Sequence, residues 1–474
     1  MTLWQHQQDA LEFIDATLQA SPGALIAAGM GSGKSYTAIA ALQQYKRERV
    51  LVLAPKSVVN NVWHSEYTQF GPEVHVLELG SGSVKKRCEL LQSFTNQFSP
   101  FAIVVNYDVV YRKEMLAALM QVGFDALILD ECHRIASPGA ATSKAVRKLA
   151  EDIPFRLGLT GTPLSSSMGP LAIWGQAKVL SPGAYPRTYT QFKRTYTEPC
   201  SWGTHDGASP LGRGGTVQPW RYTNQEDLQA RMSTFAFRVE SKDVLDLPPE
   251  TDLVRTTALE PKARRIYSDL VDDLLSDLDE GTVTAPNVLV RMLRLQMITG
   301  GSLKLDDGLW AEVSEAKGKL LADVLKDLPV DRPVVVVGRF HKDLDTIAAV
   351  AHTQNRDTYE LSGRQDELRR WKHMCATKKD VASGKAAPVL VVQIQAGGVG
   401  ISVAQEADTL IFYSPDFSLT LYEQMRARIH RPGQDHPVTF VHLTVSDTID
   451  EDLYRALQAK ADTVKATLTG LRRS

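Results

Sequence analysis

Short unbroken apolar runs fall into two groups along the chain. The first group is "ALIAA", "VLVLAP", "FAIVVNY", "ALILDE" and "FRLGLTGT"; the second is "PVVVVGRF", "TYELSG", "PVLVVQIQ", "TLIFYS" and "PVTFVHLTV". Val, Ile and Leu run together in them without alternating polar residues, as in strands covered on both faces of a parallel sheet. Helix-compatible stretches of ten or more residues follow each run, the rhythm of repeated βαβ units. The pattern predicts an α/β protein with two parallel-sheet lobes, at residues 1–165 and 316–474.

Residues 166–315 read differently. "CSWGTHDGASPLGRGGTVQPW" (200–220) is rich in Gly, Pro and Ser and has no period, which predicts a surface loop. Helical patterns such as "EDLQARMSTFAF" and "RRIYSDLVDDLLSDL" flank it, so this middle portion is expected to be helical insertions and not a third sheet. No repeat of 20–50 residues is present.

Composition narrows the class. The 474 residues are 43% hydrophobic and 23% charged, the profile of a globular protein with two to four domains' worth of core. A formal charge of −2 gives no global basicity, so any nucleic acid would be held by local clusters such as Lys46-Arg47, Lys85-Lys86-Arg87 and Lys378-Lys379. Four scattered cysteines argue against a zinc site or a disulfide framework. With no leader pattern at the N-terminus and no long apolar run, a cytoplasmic location is expected, or a nuclear one in a host with a nucleus.

Three motifs carry chemistry. In "AAGMGSGKSYTAIAAL" (27–42) a strand enters a glycine-rich turn and a helix leaves it. Gly29, Gly31 and Gly33 allow backbone N–H groups to face an anion at the helix N-terminus, joined by Ser32; Lys34 would reach the outer phosphates of a nucleotide and Ser35 would hold Mg²⁺. Ala28 stands where the usual pattern has glycine, which is harmless if residue 28 keeps away from the phosphates. The bland alternative is a glycine turn before an ordinary helix. "ALILDECH" then puts Asp130 and Glu131 at a strand's carboxyl end, where a nucleotide hydrolase needs one carboxylate for Mg²⁺ and another to orient water; a helix cap is the competing reading. "EQMRARIHRPGQ" (423–434) places Arg428 and Arg431 three apart, predicting one helix face that could neutralise a transferring phosphate. Together the three predict an ATP site served by both lobes.

The motif order resembles superfamily-two helicase-type ATPases, specifically the Swi/Snf-like group that includes chromatin remodellers and annealing helicases. "LWQHQQDAL" is similar to its opening element, with Gln7 as the adenine-reading glutamine; "GMGSGKS" is similar to motif I, "LVLAPKSVVNNVWHSE" to motif Ia, "DECHRI" to motif II with cysteine where alanine is common, and "LTGTPL" to motif III. "FRVESKDVLDLPP" resembles the segment joining the lobes, "AGGVGIS" motif V, "QMRARIHRPGQ" motif VI, and "SDTIDEDLYRAL" the closing helix. Motif V departs from the pattern, reading "QIQAGG" with Gln393 and Ile394 where many members have Ser-Thr.

The resemblance implies a DNA-stimulated ATPase that translocates along double-stranded DNA; a strand-unwinding or fork-remodelling and annealing helicase is the alternative. It implies Lys34, Asp130, Glu131, Arg428 and Arg431 in catalysis and adds Gln424 to the ATP-binding set. It implies Lys56, Ser57, Asn106, Tyr107, Gly397 and Ser402 as contacts to double-stranded or forked DNA, and Thr160 and Thr162 as links between DNA and ATP. A monomer aimed by DNA shape or by a targeting protein, without a membrane partner, is expected. Trp202 and Trp220 are candidates for such an attachment.

Overall fold

The computed structural model describes residues 3–59, 62–164, 169–200, 207–211, 216–240, 244–279, 285–305, 308–397 and 403–469. It divides into two compact units, Met1–Leu245 with Lys460–Ser474, and Asp246–Ala459.

The first unit is built on β1 (Gly23–Ala28), β2 (Arg49–Ala54), β3 (His75–Leu79), β4 (Phe101–Asn106), β5 (Ala126–Asp130) and β6 (Phe155–Thr160). An antiparallel group follows, β7 (Thr197–Pro199), β8 (Gly207–Leu211) and β9 (Thr216–Tyr222), and then β10 (Ala236–Val239). The main sheet has the order β10-β1-β6-β5-β2-β4-β3 and is parallel throughout. Alternate residues of each strand feed opposite cores. Leu25, Leu51, Leu53, Ile103 and Val105 pack on one face, while Ala24, Ile26, Val50, Val52 and Val104 pack on the other. That double burial explains the unbroken apolar runs.

The second unit contains β11 (Glu250–Thr257), β12 (Ser302–Lys304), β13 (Trp310–Glu312), β14 (Val334–Gly338), β15 (Arg356–Leu361), β16 (Ala386–Gln393), β17 (Thr409–Phe412) and β18 (Val438–Val445). Its parallel sheet runs β11-β18-β17-β14-β16-β15. The pair β12–β13 is a separate antiparallel hairpin. The two-lobed α/β architecture expected from the sequence is present.

The middle portion is helical only in part. Helices do form at Gln225–Ser233, Pro261–Asp279 and Ala285–Thr299. However, β10 joins the first sheet, β11 joins the second, and β7-β9-β8 make a three-stranded sheet where a loop was expected. Pro219 lies in the central strand of that small sheet, a position that argues against a strand in a sequence reading. The residues of β7 pair with Trp220, Arg221 and Tyr222 and do not reach Pro219, which pairs with Ala208 of β8. Trp220 packs back on its own unit, its ring 5.1 Å from Tyr222 and beneath the Lys193 ammonium at 5.2 Å. Trp202 lies outside the described residues.

Candidate active site

The phosphate-loop candidate lies at the carboxyl end of β1. Gly31 (φ 80°) and Gly33 (φ 75°) hold left-handed conformations that side chains disfavour. A Cβ on Gly33 would also come within 2.3 Å of Gln7 Nε2. The helix Lys34–Gln44 starts immediately after, so its unpaired N–H groups and dipole face the loop. Lys34 Nζ donates to the carbonyls of Ala28 (2.9 Å) and Gly29 (3.0 Å). Ala28 therefore meets the loop lysine through its backbone, while its side chain packs in the core. Glycine is not required there. Ser35 is half-buried on the first helical turn, and Ser32 Oγ donates to Gly29 O at 2.7 Å.

Gln7 departs from the expectation. It is 3% exposed and braces the loop: Nε2 donates to Ser32 O (3.3 Å) and Gly33 O (3.5 Å), and Oε1 accepts Trp4 N–H (2.9 Å). His6 Nε2 donates to the same Ser32 carbonyl at 2.9 Å. Both ends of the Gln7 amide are engaged within the protein, its oxygen through one of two lone pairs.

At the end of β5, Asp130 Oδ2 accepts the indole N–H of Trp63 at 3.1 Å, and its carbonyl accepts the Tyr107 hydroxyl at 2.8 Å. Glu131 holds a left-handed backbone (φ 50°, ψ 53°), a conformation that costs roughly 1–3 kcal/mol and persists where surroundings over-determine it. Its Oε2 accepts the Thr160 hydroxyl at 3.1 Å, and His133 Nδ1 lies 3.2 Å from the same oxygen and 3.1 Å from Thr160 Oγ1. Thr162 N–H donates to Thr160 Oγ1 at 3.1 Å. Burial and the neighbouring Glu131 raise the Asp130 carboxyl's pKa, while Trp63 and Lys34 oppose that rise. Burial also acts to raise Glu131, but His133, Lys34 and Thr160 outweigh it and keep that carboxyl below its ordinary range. Two desolvated carboxyls of opposite tendency thus adjoin a lysine. This donor set suits a divalent cation held partly by Asp130 and Ser35 and partly by a substrate's phosphate oxygens.

The structure brings Gly29, Gly31, Ser32, Gly33, Lys34, Asp130, Glu131, Thr160 and Thr162 to the carboxyl ends of β1, β5 and β6. Sequence reasoning missed Trp63 and His133. The signals were the tryptophan of "NNVWHSE" and the histidine two places after Glu131.

The DNA candidates fare unevenly. Lys56 is exposed at the start of the short helix Lys56–Val59. Asn106 (5% exposed) accepts Arg87 Nη1 at 2.9 Å, and Tyr107 (1% exposed) is used by Asp130, so burial removes both from a contact surface. They support the site from behind. Gly397 ends the helix Ile394–Gly397. The side chain of Ser57, the surroundings of Gly397, and Ser402 altogether lie outside the described residues.

In the second unit the helix Leu419–Ile429 carries Arg428 but ends before Arg431, with His430 as its cap. Arg428 and Arg431 do not share a helix face: Pro432 disfavours helical backbone in the residue before it, and Gly433 turns the chain at φ 94°. Arg428 is 7% exposed, and Gln424, at 9%, presents little surface to a ligand. Among the described residues the buried Arg431 Nε meets no hydrogen-bond partner, and burial lowers this guanidinium's pKa. Arg426, which the sequence did not single out, instead anchors the helix to β11. It pairs with Glu250 (3.1 Å) and Asp252, and lies 3.9 Å from the Phe440 ring centroid. Asp252 also accepts His442 Nε2 at 2.8 Å.

The loop after β14 carries a second polar knot. Asp343, buried, accepts the Ser414 hydroxyl and the N–H groups of Phe340 (3.1 Å) and Arg339 (3.3 Å). Gln393, the motif V departure, accepts Gly363 N–H at 3.2 Å and donates to Arg339 O at 3.4 Å. It joins the loops that follow β15 and β14.

No helix among the described residues is long and apolar enough to cross a membrane. Comparison with known proteins matches residues 6–299 to the SNF2-related domain and residues 316–433 to the helicase conserved C-terminal domain. An uncharacterized ATP-dependent helicase of Mycoplasma pneumoniae is 24% identical over 98% of this chain and 42% of its own length. Putative protein p41 of Acyrthosiphon pisum secondary endosymbiont phage 1 is 26% identical over 90% of this chain and 89% of its own. The chain thus spans less than half of the first relative and most of the second. A solved Sulfolobus solfataricus SWI2/SNF2 ATPase core in complex with dsDNA aligns at TM-score 0.42 and 21% identity, covering 100% of this chain and 95% of that one. With the helicase C-terminal domain following it, the SNF2-related domain assigns this chain to the SNF2-related family of helicase-type ATPases.

Proposed function

We propose that this chain is a DNA-stimulated ATPase that moves along double-stranded DNA. The observation that carries the reading is the joint placement of Lys34, Asp130, Glu131 and Thr160 beside a left-handed glycine loop at a helix N-terminus. Family membership supports the coupling to DNA.

The loop N–H groups and Lys34 bind and orient the nucleotide's phosphates, with Lys34 leaving the Ala28 and Gly29 carbonyls to do so. Asp130 and Ser35 would hold Mg²⁺, which would supply charge neutralisation on the phosphate oxygens. Glu131, kept ionised and oriented by Thr160 and His133, positions the attacking water and takes its proton. Arg428 and Arg431 are assigned to neutralising charge on a transferring phosphate, a role suited to an Arg431 Nε that meets no hydrogen-bond partner among the described residues. Lys56 contributes to a contact with DNA backbone that positions without reading sequence. The protein acts as a monomer, directed by DNA shape or by a partner.

The test is steady-state ATP hydrolysis with no nucleic acid, duplex DNA, single-stranded DNA, forked DNA and RNA, beside Lys34→Ala. Strong stimulation by duplex DNA, absent from Lys34→Ala, is expected. Stimulation by single strands or RNA alone would replace translocation on duplex with strand unwinding.

A further inference from the structure

Behind the acidic turn lies a side chain that the motifs do not include. Gln176, in the helix Ile173–Leu180, is 0% exposed and fully engaged. Its Nε2 donates to the carbonyls of Pro163 (2.7 Å) and Ala172 (3.3 Å), and its Oε1 accepts the Cys132 thiol at 3.1 Å. Cys132 follows Asp130 and Glu131 directly, and Pro163 follows Thr160-Gly161-Thr162. A single neutral amide therefore ties the turn that carries the carboxylates to the loop that carries both threonines.

The rest of the helix is shaped for the same contact. A Cβ on Gly175 would stand 2.2 Å from Ile135 O and 2.6 Å from Ala136 O, so only glycine lets the helix lie against this turn. On the other side, a Cβ on Gly158 of β6 would come within 3.1 Å of Cys132 Sγ and 2.7 Å of Leu180 Cδ1. The turn is enclosed by close backbone approaches, and Glu131 keeps its left-handed backbone within that enclosure.

We propose that Gln176 is a positioning residue for ATP hydrolysis: through Cys132 and Pro163 it holds Glu131 in register with Thr160 and Thr162. It touches no reacting group, so it sets turnover and leaves nucleotide binding alone. Its partner Cys132, in a position where alanine is common in the resembling family, supplies the thiol donor that this amide uses. The proposal rests on the ATPase reading.

The experiment compares Gln176→Met, Cys132→Val and Cys132→Ser with the wild type and Lys34→Ala, measuring kcat and KM for ATP with saturating duplex DNA, and thermal midpoint. Gln176→Met keeps the volume and removes the amide; Cys132→Val removes the donor from the other end. Each is expected to lower kcat by about tenfold, within the roughly 10²-fold that a small misplacement of a catalytic group can cost, with KM for ATP unchanged. Cys132→Ser, which keeps a donor, is expected to restore most of kcat. Folded Gln176→Met and Cys132→Val proteins with wild-type kcat would overturn the proposal while the ATPase reading stands. A fall in kcat matched by a rise in KM and a lower thermal midpoint would also overturn it, as general loss of structure. If Gln176→Met does not fold, the Cys132 pair decides: equal kcat for Val and Ser overturns the proposal. Wild type without turnover under any condition would overturn both.

Discussion

Thr160 donates its hydroxyl to Glu131 at 3.1 Å while accepting the N–H of Thr162. The hydroxyl therefore points at the carboxylate because a backbone group two residues on fixes the other side of its oxygen. Any movement of the loop 160–164 is felt at Glu131 as a change in hydrogen bonding. Thr160→Val, which keeps the branched shape, should lower kcat by about 10- to 100-fold, the range for one hydrogen bond to a charged group, with ATP affinity unchanged. Steady-state kinetics with a separate nucleotide-binding titration checks the split.

Glu131→Gln keeps the acceptor toward Thr160 but removes the base. Turnover should drop by roughly 10²- to 10⁴-fold while ATP still binds. A fluorescent-nucleotide titration beside single-turnover hydrolysis tests this, and loss of binding would assign Glu131 to nucleotide capture.

Much of this constellation was legible because its parts obey local rules. Glycines at Gly31 and Gly33 mark positive φ, and Asp130 ends an apolar run that reads as a buried strand. What was hidden depends on contacts between distant segments. β11 reads as polar because seven of its eight residues are exposed at a sheet edge. It is held there by its parallel ladder to β18 together with Arg426, His442 and the Thr256–Thr444 hydroxyl pair. Asn106 and Tyr107, which the resemblance implies as DNA contacts, are buried and engaged by the long-range partners Arg87 and Asp130. Arg431 shares spacing with Arg428 but not helix, since Pro432 ends the pattern that spacing assumes.

Arg431 offers a test that breaks no described side-chain hydrogen bond. Its Nε holds no described partner, and its backbone carbonyl, which accepts Gln434 N–H at 3.1 Å, survives substitution. Arg431→Ala should leave stability and ATP binding close to wild type and cost about 10³-fold in hydrolysis if it serves the transferring phosphate. Near-normal turnover would remove it from the mechanism.

Burial pushes the Asp343 carboxyl up to about 6, against the opposing pull of Ser414, the Phe340 N–H, Lys317 and the Arg339 N–H. A folded-state value above the unfolded one means that the native protein binds the proton more tightly. Stability from this group is therefore full below about 4, declines as pH rises through 6, and is level above it. An elevation from 3.8 to about 6 corresponds to roughly 3 kcal/mol. The Asp343→Asn variant carries an amide there that does not titrate. Its stability minus that of wild type should therefore rise by about this amount between roughly pH 4 and pH 7. Hydrogen-exchange protection of the β14 amides, compared between the two proteins at each pH, gives that difference; a pH-independent difference would show that Asp343 is already ionised throughout.

Gln7 separates bracing from base reading. Its amide nitrogen is committed to the Ser32 and Gly33 carbonyls and its oxygen to Trp4 N–H, while Ser32 O retains a second donor in His6. Removing the amide should loosen a loop that any nucleoside triphosphate uses, whatever its base. Gln7→Ala is therefore expected to raise KM for ATP and GTP by the same factor, several-fold for the loss of these hydrogen bonds, and to leave their ratio unchanged. A glutamine that reads adenine behaves differently: a site built to pair with one base discriminates strongly against another, and that discrimination collapses when the pairing group is lost. A selective rise in KM for ATP, with GTP unaffected, would mean that Gln7 exchanges its loop contacts for the base when nucleotide binds.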